Sequence, residues 1–330
     1  MSVNQLSASW SRLVSAHRAE ISKSLGRSGL FLLLVILSIA IFWLPLTTLA
    51  KVIIHDERYS HVLLIPIISV GFAFIQRKRI FLHACYCPSW GILGLVVSLA
   101  LYATRDEWPS LDQNDRLSVM VSALTLLWIA SFVFCYGIRA SHAAIFPLLF
   151  LFLAIPIPTV LLGKIILALQ NGSATMTYGL FKFLHVPVLR QGVKFSLPGV
   201  DIEIASECSG IRSSLALFIT GTVAAHLFLR SNWRKVVVAV LTVPIAIFKN
   251  AVRIVTLSLL GVYVDPGFLT GKLHHQGGVV FSLLSLAMFA PLLFAFQRWE
   301  KQVPSGEMRA PYPDPPAHGL AVLNSREEKA

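Results

Sequence analysis

Long apolar stretches alternate with short polar segments along most of this chain. Eight such stretches, each bounded by polar or charged positions, predict membrane-spanning helices. The predicted spans cover residues 29–50, 60–76, 89–104, 117–138, 143–157, 208–229, 236–262 and 273–297. Each span is long enough, or nearly long enough, to cross about 30 Å of hydrocarbon. The pattern therefore predicts an all-α polytopic membrane protein.

The longest segment between predicted spans covers residues 159–207. Residues 159–186 mix apolar and polar side chains, which predicts an amphipathic helix in the outer membrane interface. From 188 to 204, apolar and polar residues alternate on both sides of Leu197-Pro198-Gly199, which predicts a small β-hairpin. The hairpin leads directly into the sixth predicted span.

The composition supports the membrane class. Apolar residues make up 55% of the chain, charged residues only 13%, and the mean hydropathy is +0.71, which excludes an ordinary soluble domain. The net charge of +12 does not indicate nucleic acid, because the basic residues flank the apolar spans as topology signals. We therefore expect the lipid bilayer, and no nucleic acid, as a partner.

The distribution of Lys and Arg predicts the orientation. With the N-terminus inside, sixteen basic residues fall on the inner side and nine on the outer side. This makes residues 1–28 a cytoplasmic N-terminal segment, 29–297 the transmembrane domain, and 298–330 a proline-containing, disordered cytoplasmic tail.

Cys208 lies at the start of the sixth predicted span, within Glu207-Cys208-Ser209-Gly210-Ile211-Arg212. It is the only one of the four cysteines that this topology places outside the cytoplasm, so we expect a free thiol. The start of a helix favours the nucleophilic thiolate, and Gly210 allows close backbone approach. Arg212, one turn further, is placed to favour the thiolate or to bind substrate. The alternative is a buried structural thiol.

Polar residues interrupt the seventh predicted span at Lys249, Asn250 and Arg253. Lys249 and Arg253 share one helix face, about 13 Å or more below the outer end of the span. Ionisable residues at such a depth usually line a cavity or pair with another group. Arginine stays protonated, so Arg253 is a candidate for holding an oxyanion or a carboxylate. The alternative is a pair that only packs helices.

Two histidines, His274 and His275, begin the last predicted span on the same side of the membrane. Either can take a proton from a thiol and return it to a leaving amine. The alternative is a pair of interfacial histidines without a chemical role. Neither has Cys, Asp or Glu neighbours at the spacing of metal ligands, so we expect no metal site and no cofactor.

Together these motifs resemble the exosortase/archaeosortase family of membrane transpeptidases. The resemblance lies in Cys208-Ser209-Gly210-Ile211-Arg212, in Asn250-Ala-Val-Arg253-Ile254 and in His274-x-x-x-Gly278, and it covers about residues 30–297. Tyr59-Ser60-His61, which alone indicates an interfacial aromatic residue and a cap, also resembles the N-terminal region of the family. The position after the family histidine is often acidic and is His275 here, so both histidines stay candidates.

The resemblance implies Cys208, Arg253 and His274 as the catalytic trio. Supporting or substrate-binding residues would be Tyr59, His61, Ser209, Gly210, Arg212, Lys249, Asn250 and His275. The implied function is a cysteine transpeptidase or protease of the bacterial inner membrane that faces the periplasm. Its substrates would be exported proteins with a C-terminal PEP-CTERM-type tail: a Pro-Glu-Pro motif, one transmembrane helix and a basic cluster. Such systems accompany exopolysaccharide production in many members.

Two other function classes fit the residues alone. In a transporter or a non-enzymatic component of exopolysaccharide assembly, Lys249 and Arg253 would bind an anionic sugar or lipid head group. Against transport, the inner halves of the last three predicted spans are nearly all apolar. In a membrane acyltransferase, a histidine would act as the base, and Cys208 would be dispensable.

Overall fold

The computed structural model describes residues 25–82, 84–104, 111–205, 209–265, 267 and 278–302. Cys208, His274 and His275 lie outside the described residues, as does most of both predicted terminal segments. Helices dominate the described part, because a helix satisfies its backbone hydrogen bonds internally, as a bilayer requires.

The first half of the chain forms helices that follow the apolar pattern. Helix α1 is bent by 72° relative to α2, at a single-residue break. The helices are α1 (Leu25–Ile41), α2 (Trp43–His55), α3 (Leu64–Ile75), α4 (Arg77–Phe81), α5 (Pro88–Ala103) and α6 (Gln113–Ala143).

The second half contains a bent helix pair, a small sheet and three long helices. Helix α7 (Ile145–Phe150) continues in a 3₁₀ turn, Leu151–Ala154, and then meets α8 (Thr159–Phe183) at 90°. Pro156 and Pro158 lie between the two, where missing amide hydrogens end a helix. The remaining elements are β1 (Leu189–Gln191), β2 (Lys194–Leu197), β3 (Val200–Glu203), α9 (Ile211–Phe228), α10 (Asn232–Tyr263) and α11 (Gly278–Gln302).

The structure does not reproduce eight uniform spans. Within the described residues, α6, α9, α10 and α11 are long and apolar enough to cross a membrane, and each bent pair adds one candidate, giving four to six. Helices α3 and α5 contain 12 and 16 residues. At 1.5 Å per residue they are about 18 and 24 Å long, which is shorter than the hydrocarbon core. The all-α membrane class holds, and the predicted number of spans is not confirmed.

Helix α6 contains a break at Gly137, whose φ of 83° lies in the left-handed region. The extended segment before α5 pairs with the chain at this break. The amides of Cys85 and Cys87 donate to the carbonyls of Tyr136 and Phe134, at 3.0 and 3.1 Å. These carbonyls would otherwise lack helical partners, so the neighbouring segment completes their hydrogen bonding.

Helix α11 continues to Gln302, beyond residue 297, where the last span was predicted to end. Glu300 explains the extension. Its carboxylate accepts the backbone N–H groups of Arg230 and Ser231, at 2.7 and 2.8 Å, and lies 3.3 Å from Arg234. The carboxylate thereby ties the residues just before α10 to the end of α11.

The strands form an antiparallel sheet of order β1-β2-β3. Leu197 pairs with Val200 across a two-residue turn, and β1 is a strand that the sequence pattern did not predict. Phe195 of β2 and Ile204, which follows β3, pack against α8 and α10 in one buried cluster. The amide of Gln170 on α8 donates to the carbonyl of Ile204, at 2.9 Å. The sheet is therefore fixed immediately before the start of α9.

Candidate active site

The turn that begins α9 lies directly against α10. Gly210 is its N-cap residue and has a φ of 77°, a conformation that favours glycine. A Cβ added at Gly210 would lie 3.1 Å from both Cγ and Oδ1 of Asn250. Glycine therefore serves twice here, because it permits both the turn and the close approach.

Lys249 and Asn250 connect three helices at one level. Both are buried, with only 2% and 1% of their surface exposed. The Lys249 ammonium donates to the hydroxyl of Ser213 on α9, and the Asn250 amide donates to Ser173 on α8, at 3.0 Å. Helix α10 is thus hydrogen-bonded to both neighbours beside the Gly210 turn. Such bonds are needed, because polar groups buried without partners are costly.

The carbonyl of Gly210 is a shared acceptor in the first turn of α9. It accepts the hydroxyls of Ser213 and Ser214, at 3.0 and 2.8 Å, and the Ser214 amide at 2.9 Å. Ser213 therefore links Lys249 to the Gly210 backbone. The hydroxyl of Ser209, a residue with 1% exposure, has no hydrogen-bond partner in the described part of the chain.

The structure brings together part of the predicted site. Ser209, Gly210, Lys249 and Asn250 meet where α9 begins. Arg253 is half-buried one turn further along α10 from Lys249, and Arg212 is exposed on the first turn of α9. The catalytic candidates Cys208 and His274, like the alternative His275, lie outside the described residues. Cys208 is joined covalently to Ser209.

One protein family matches most of the chain. The family described as transmembrane exosortase matches residues 43–291. The chain belongs to the transmembrane exosortase family. No curated protein and no solved structure matches the chain. The matched region of this family member contains every predicted site residue, from Tyr59 to His275.

Tyr59 and His61 lie in the turn between α2 and α3. The Tyr59 hydroxyl donates to Asn114 on α6, at 2.6 Å, and Asn114 donates to the carbonyl of Ile157, at 2.8 Å. Burial raises the pKa of Tyr59, which keeps its hydroxyl a donor. In the described part of the chain, the hydroxyl of Tyr59 therefore joins the turn before α3 to α6.

Sequence reasoning missed Ser213 and Ser173, the two hydroxyls that bind Lys249 and Asn250. Each lies in a run of small residues, Ser213-Ser214 and Gly172-Ser173-Ala174, within a mainly apolar helix. Small residues often mark close helix contacts in membranes, so these two runs indicate that α8 and α9 approach a neighbouring helix there. It does not reveal which polar partner faces each hydroxyl. Among the described residues, no group of three or more His, Cys, Asp or Glu side chains has the arrangement of a metal site.

The start of α6 is capped by Asp112. Its carboxylate accepts the Asp115 amide and the Thr159 hydroxyl, both at 2.7 Å, so it joins the starts of α6 and α8. The hydrogen bond from Asp115, followed by that from Thr159, lowers the pKa of Asp112 below its ordinary value of 3.8. An ionised Asp112 is therefore favoured in the folded protein.

We expect this carboxylate to make stability depend on pH at the acid end. Because the pKa is lower in the folded state, its contribution is complete above about pH 4 and is lost as the pH falls through the folded pKa. Asp112→Asn keeps a capping side chain but removes the titration. Thermal unfolding in detergent between pH 3 and 5 should show a wild-type advantage that shrinks with acidity. Asp201→Asn, on the exposed face of β3, is the control, and an advantage that is constant with pH would contradict the assignment.

Proposed function

We propose that this protein is a membrane-embedded cysteine transpeptidase or protease that cleaves the C-terminal sorting signals of exported proteins. The observation that carries the proposal is the turn before α9. Residue 208 is bonded to the buried Ser209-Gly210 turn, which lies against Asn250, and Lys249 donates to Ser213 in the first turn of α9. The first turn of α9 carries both the buried Lys249 cation, through Ser213, and the free amides of a helix start, and both favour an anion. Family membership supports the same reaction class.

The proposed reaction begins with the Cys208 thiolate. Its sulfur attacks the peptide carbonyl carbon and forms a C–S bond, while the carbonyl electrons move to oxygen and create an oxyanion. Arg253 stabilises that oxyanion with its guanidinium N–H groups. His274 gives a proton to the leaving amine as the C–N bond breaks, with His275 as the alternative. An amine or water then attacks the thioester and releases the thiol.

The environment of α10 supports an anion-stabilising role. Lys249 and Arg253 lie one turn apart on the same face, and α10 contains no Asp or Glu. Two cations in a region of low dielectric constant create a strongly positive potential. An oxyanion or thiolate that forms beside them is stabilised more than it would be in water.

The proposed substrate is an exported protein with a PEP-CTERM-type tail, bound from the bilayer beside α9, α10 and α11. We place both termini in the cytoplasm and the site at the periplasmic face of the inner membrane. This sidedness is proposed from the distribution of Lys and Arg, of which sixteen fall on the inner side and nine on the outer side.

A processing assay in cells tests the proposal. The chain is co-expressed with a tagged exported protein that carries a Pro-Glu-Pro sorting tail, taken from the genome that encodes this chain. We expect wild type to shorten the tagged protein, and Cys208→Ala, Arg253→Ala and His274→Ala each to abolish the shortening. Cys85→Ala, which removes an exposed cysteine outside the site, is the matched control and should process normally.

The possible outcomes separate the function classes. Processing by Cys208→Ala, at normal expression, would exclude the thiol mechanism and favour the acyltransferase or transporter class. Loss with His275→Ala but not with His274→Ala would move the acid-base role to His275. Several tails are compared, because a tail that wild type does not cleave identifies a non-substrate.

A further inference from the structure

Lys249 is the buried charged residue closest to the start of α9. Its ammonium is fixed by a hydrogen bond to Ser213, in the first turn of that helix. A hydrogen bond alone does not require a lysine, because a neutral glutamine offers the same donor. Burying a positive charge inside a membrane protein is costly, so its position calls for a compensating anion.

The Lys249 charge lies beside the start of α9, where a cation is normally unfavourable. The start of a helix already has positive potential from its free N–H groups, so a cation beside it is repelled rather than attracted. An anion at the same place is attracted both by the Lys249 ammonium and by the free N–H groups at the start of α9. In the proposed reaction, an anion forms on the residue that precedes Ser209.

Ser213 connects the charge to the backbone. It accepts from Lys249 and donates to the carbonyl of Gly210, at 3.0 Å, so the three groups form one chain of hydrogen bonds. Gly210 also lies against Asn250, which is bonded to Ser173. The left-handed turn is therefore held from two sides by neighbouring residues of α10.

We propose that Lys249 is a positioning residue that acts through Ser213: it holds the Gly210 turn and supplies the positive charge that keeps the nucleophile ionised. The inference rests on the proposed function. It adds a role for Lys249 and for Ser213 that is distinct from oxyanion binding by Arg253.

The elements around the start of α9 carry other charged side chains that point to solvent or pair with a different residue. They are Arg212 on α9, Lys164 and Lys182 on α8, and Asp201 and Glu203 on β3. Glu203 pairs with Lys194, at 3.4 Å, and Lys182 lies 4.7 Å from the ring centroid of Tyr178. Helix α11 has no charged residue between 278 and 297, and Glu207, His274 and His275 lie outside the described residues. The other cations on α10 are Arg253, one turn from Lys249, and Arg234 and Lys235 in the first turn of the helix.

The test measures how the ionisation of Cys208 responds to Lys249, without any substrate. The full chain carries Cys85→Ser, Cys87→Ser and Cys135→Ala, so that Cys208 is the only thiol, and is placed in lipid nanodiscs. The rate of alkylation by iodoacetamide is recorded from pH 5 to 10, because only the thiolate reacts. The variants are Lys249→Met, Lys249→Arg, Ser213→Ala and the double variant Lys249→Met/Ser213→Ala.

We expect Lys249→Met to raise the midpoint of the alkylation profile by about one pH unit, which lowers the rate about tenfold at pH values well below the wild-type midpoint. Lys249→Arg should keep the midpoint near wild type, and Ser213→Ala should raise it by less than Lys249→Met. The double variant should have the same midpoint as Lys249→Met alone, because both substitutions break the same hydrogen bond between Lys249 and Ser213.

Two matched controls separate this role from general effects. Lys164→Met removes an exposed lysine from α8, and Ser214→Ala removes the other hydroxyl that binds the Gly210 carbonyl without contacting Lys249. Both should leave the midpoint unchanged. If Lys249→Met is not recovered from membranes, the comparison of Ser213→Ala with Ser214→Ala carries the test.

An unchanged midpoint in Lys249→Met would overturn the proposal, and so would equal shifts in Ser213→Ala and Ser214→Ala. Additive shifts in the double variant would also overturn it, because they show independent effects. Failure of the proposed function is a different result, namely processing by Cys208→Ala in cells. The alkylation profile does not depend on that assay.

Discussion

Replacing Arg253 by lysine should lower the rate of sorting-signal cleavage about 10²- to 10³-fold, the usual effect of removing one oxyanion donor. The substitution keeps the charge but removes the planar fork of donors, which lysine does not reproduce. It also places a second compact ammonium one turn from Lys249, where like charges repel. The rate is measured with purified protein in proteoliposomes and a fluorescent peptide that carries the sorting motif.

The control for this experiment is Arg298→Lys. Arg298 is exposed on α11, with its guanidinium 4.4 Å from the ring centroid of Phe294. That variant should cleave at the wild-type rate. Thermal unfolding of Arg253→Lys should stay close to wild type, since the charge and most of the stem remain. A rate within about threefold of wild type, well below the effect of losing an oxyanion donor, would assign Arg253 to packing rather than to chemistry.

Gly210→Ala should impair both stability and catalysis. Placing a non-glycine residue in the left-handed region costs about 1–2 kcal/mol. The new methyl group would also lie 3.1 Å from Cγ and Oδ1 of Asn250, which is held by Ser173. Relief of this contact displaces the turn, and a displacement of about 1 Å can lower a rate about 100-fold. We expect a lower unfolding temperature and a cleavage rate reduced about 100-fold.

Two glycines provide controls that separate strain from contact. Gly199, in the turn between β2 and β3, has a φ of 80° but open space around it, so Gly199→Ala tests the backbone conformation alone. Gly163, on α8, has open space and no positive φ, so Gly163→Ala should be harmless or stabilising. Equal cleavage rates in Gly210→Ala and Gly199→Ala would show that contact with Asn250 is unimportant.

The apolar pattern predicted the helical membrane class because hydropathy reports burial in lipid directly. It did not predict which helices are short or bent. The ends of α3 and α5 depend on local turns, and the extension of α11 to Gln302 depends on Glu300, which binds residues about 70 positions earlier. A one-dimensional pattern contains no information on such contacts.

The candidate site was predictable where polar residues interrupt an apolar span. Lys249 and Asn250 were recognisable for that reason, and Gly210 was recognisable from its motif. Ser173 and Ser213 were not, because serine is common in membrane helices and its partner is set by helix packing. The supporting role of Tyr59 stays a prediction, and its hydroxyl joins the turn before α3 to α6.

The break in α6 has a consequence for how the chain is made. Cys85 and Cys87 precede Phe134 and Tyr136 by about fifty residues in the chain, and a ribosome makes the chain from its N-terminus at roughly 5–20 residues per second. The amides that complete the broken helix are therefore synthesised several seconds before the carbonyls that need them. The partner amides are thus already part of the chain when the broken stretch of α6 is made, and the two carbonyls depend on no later segment for their hydrogen bonds.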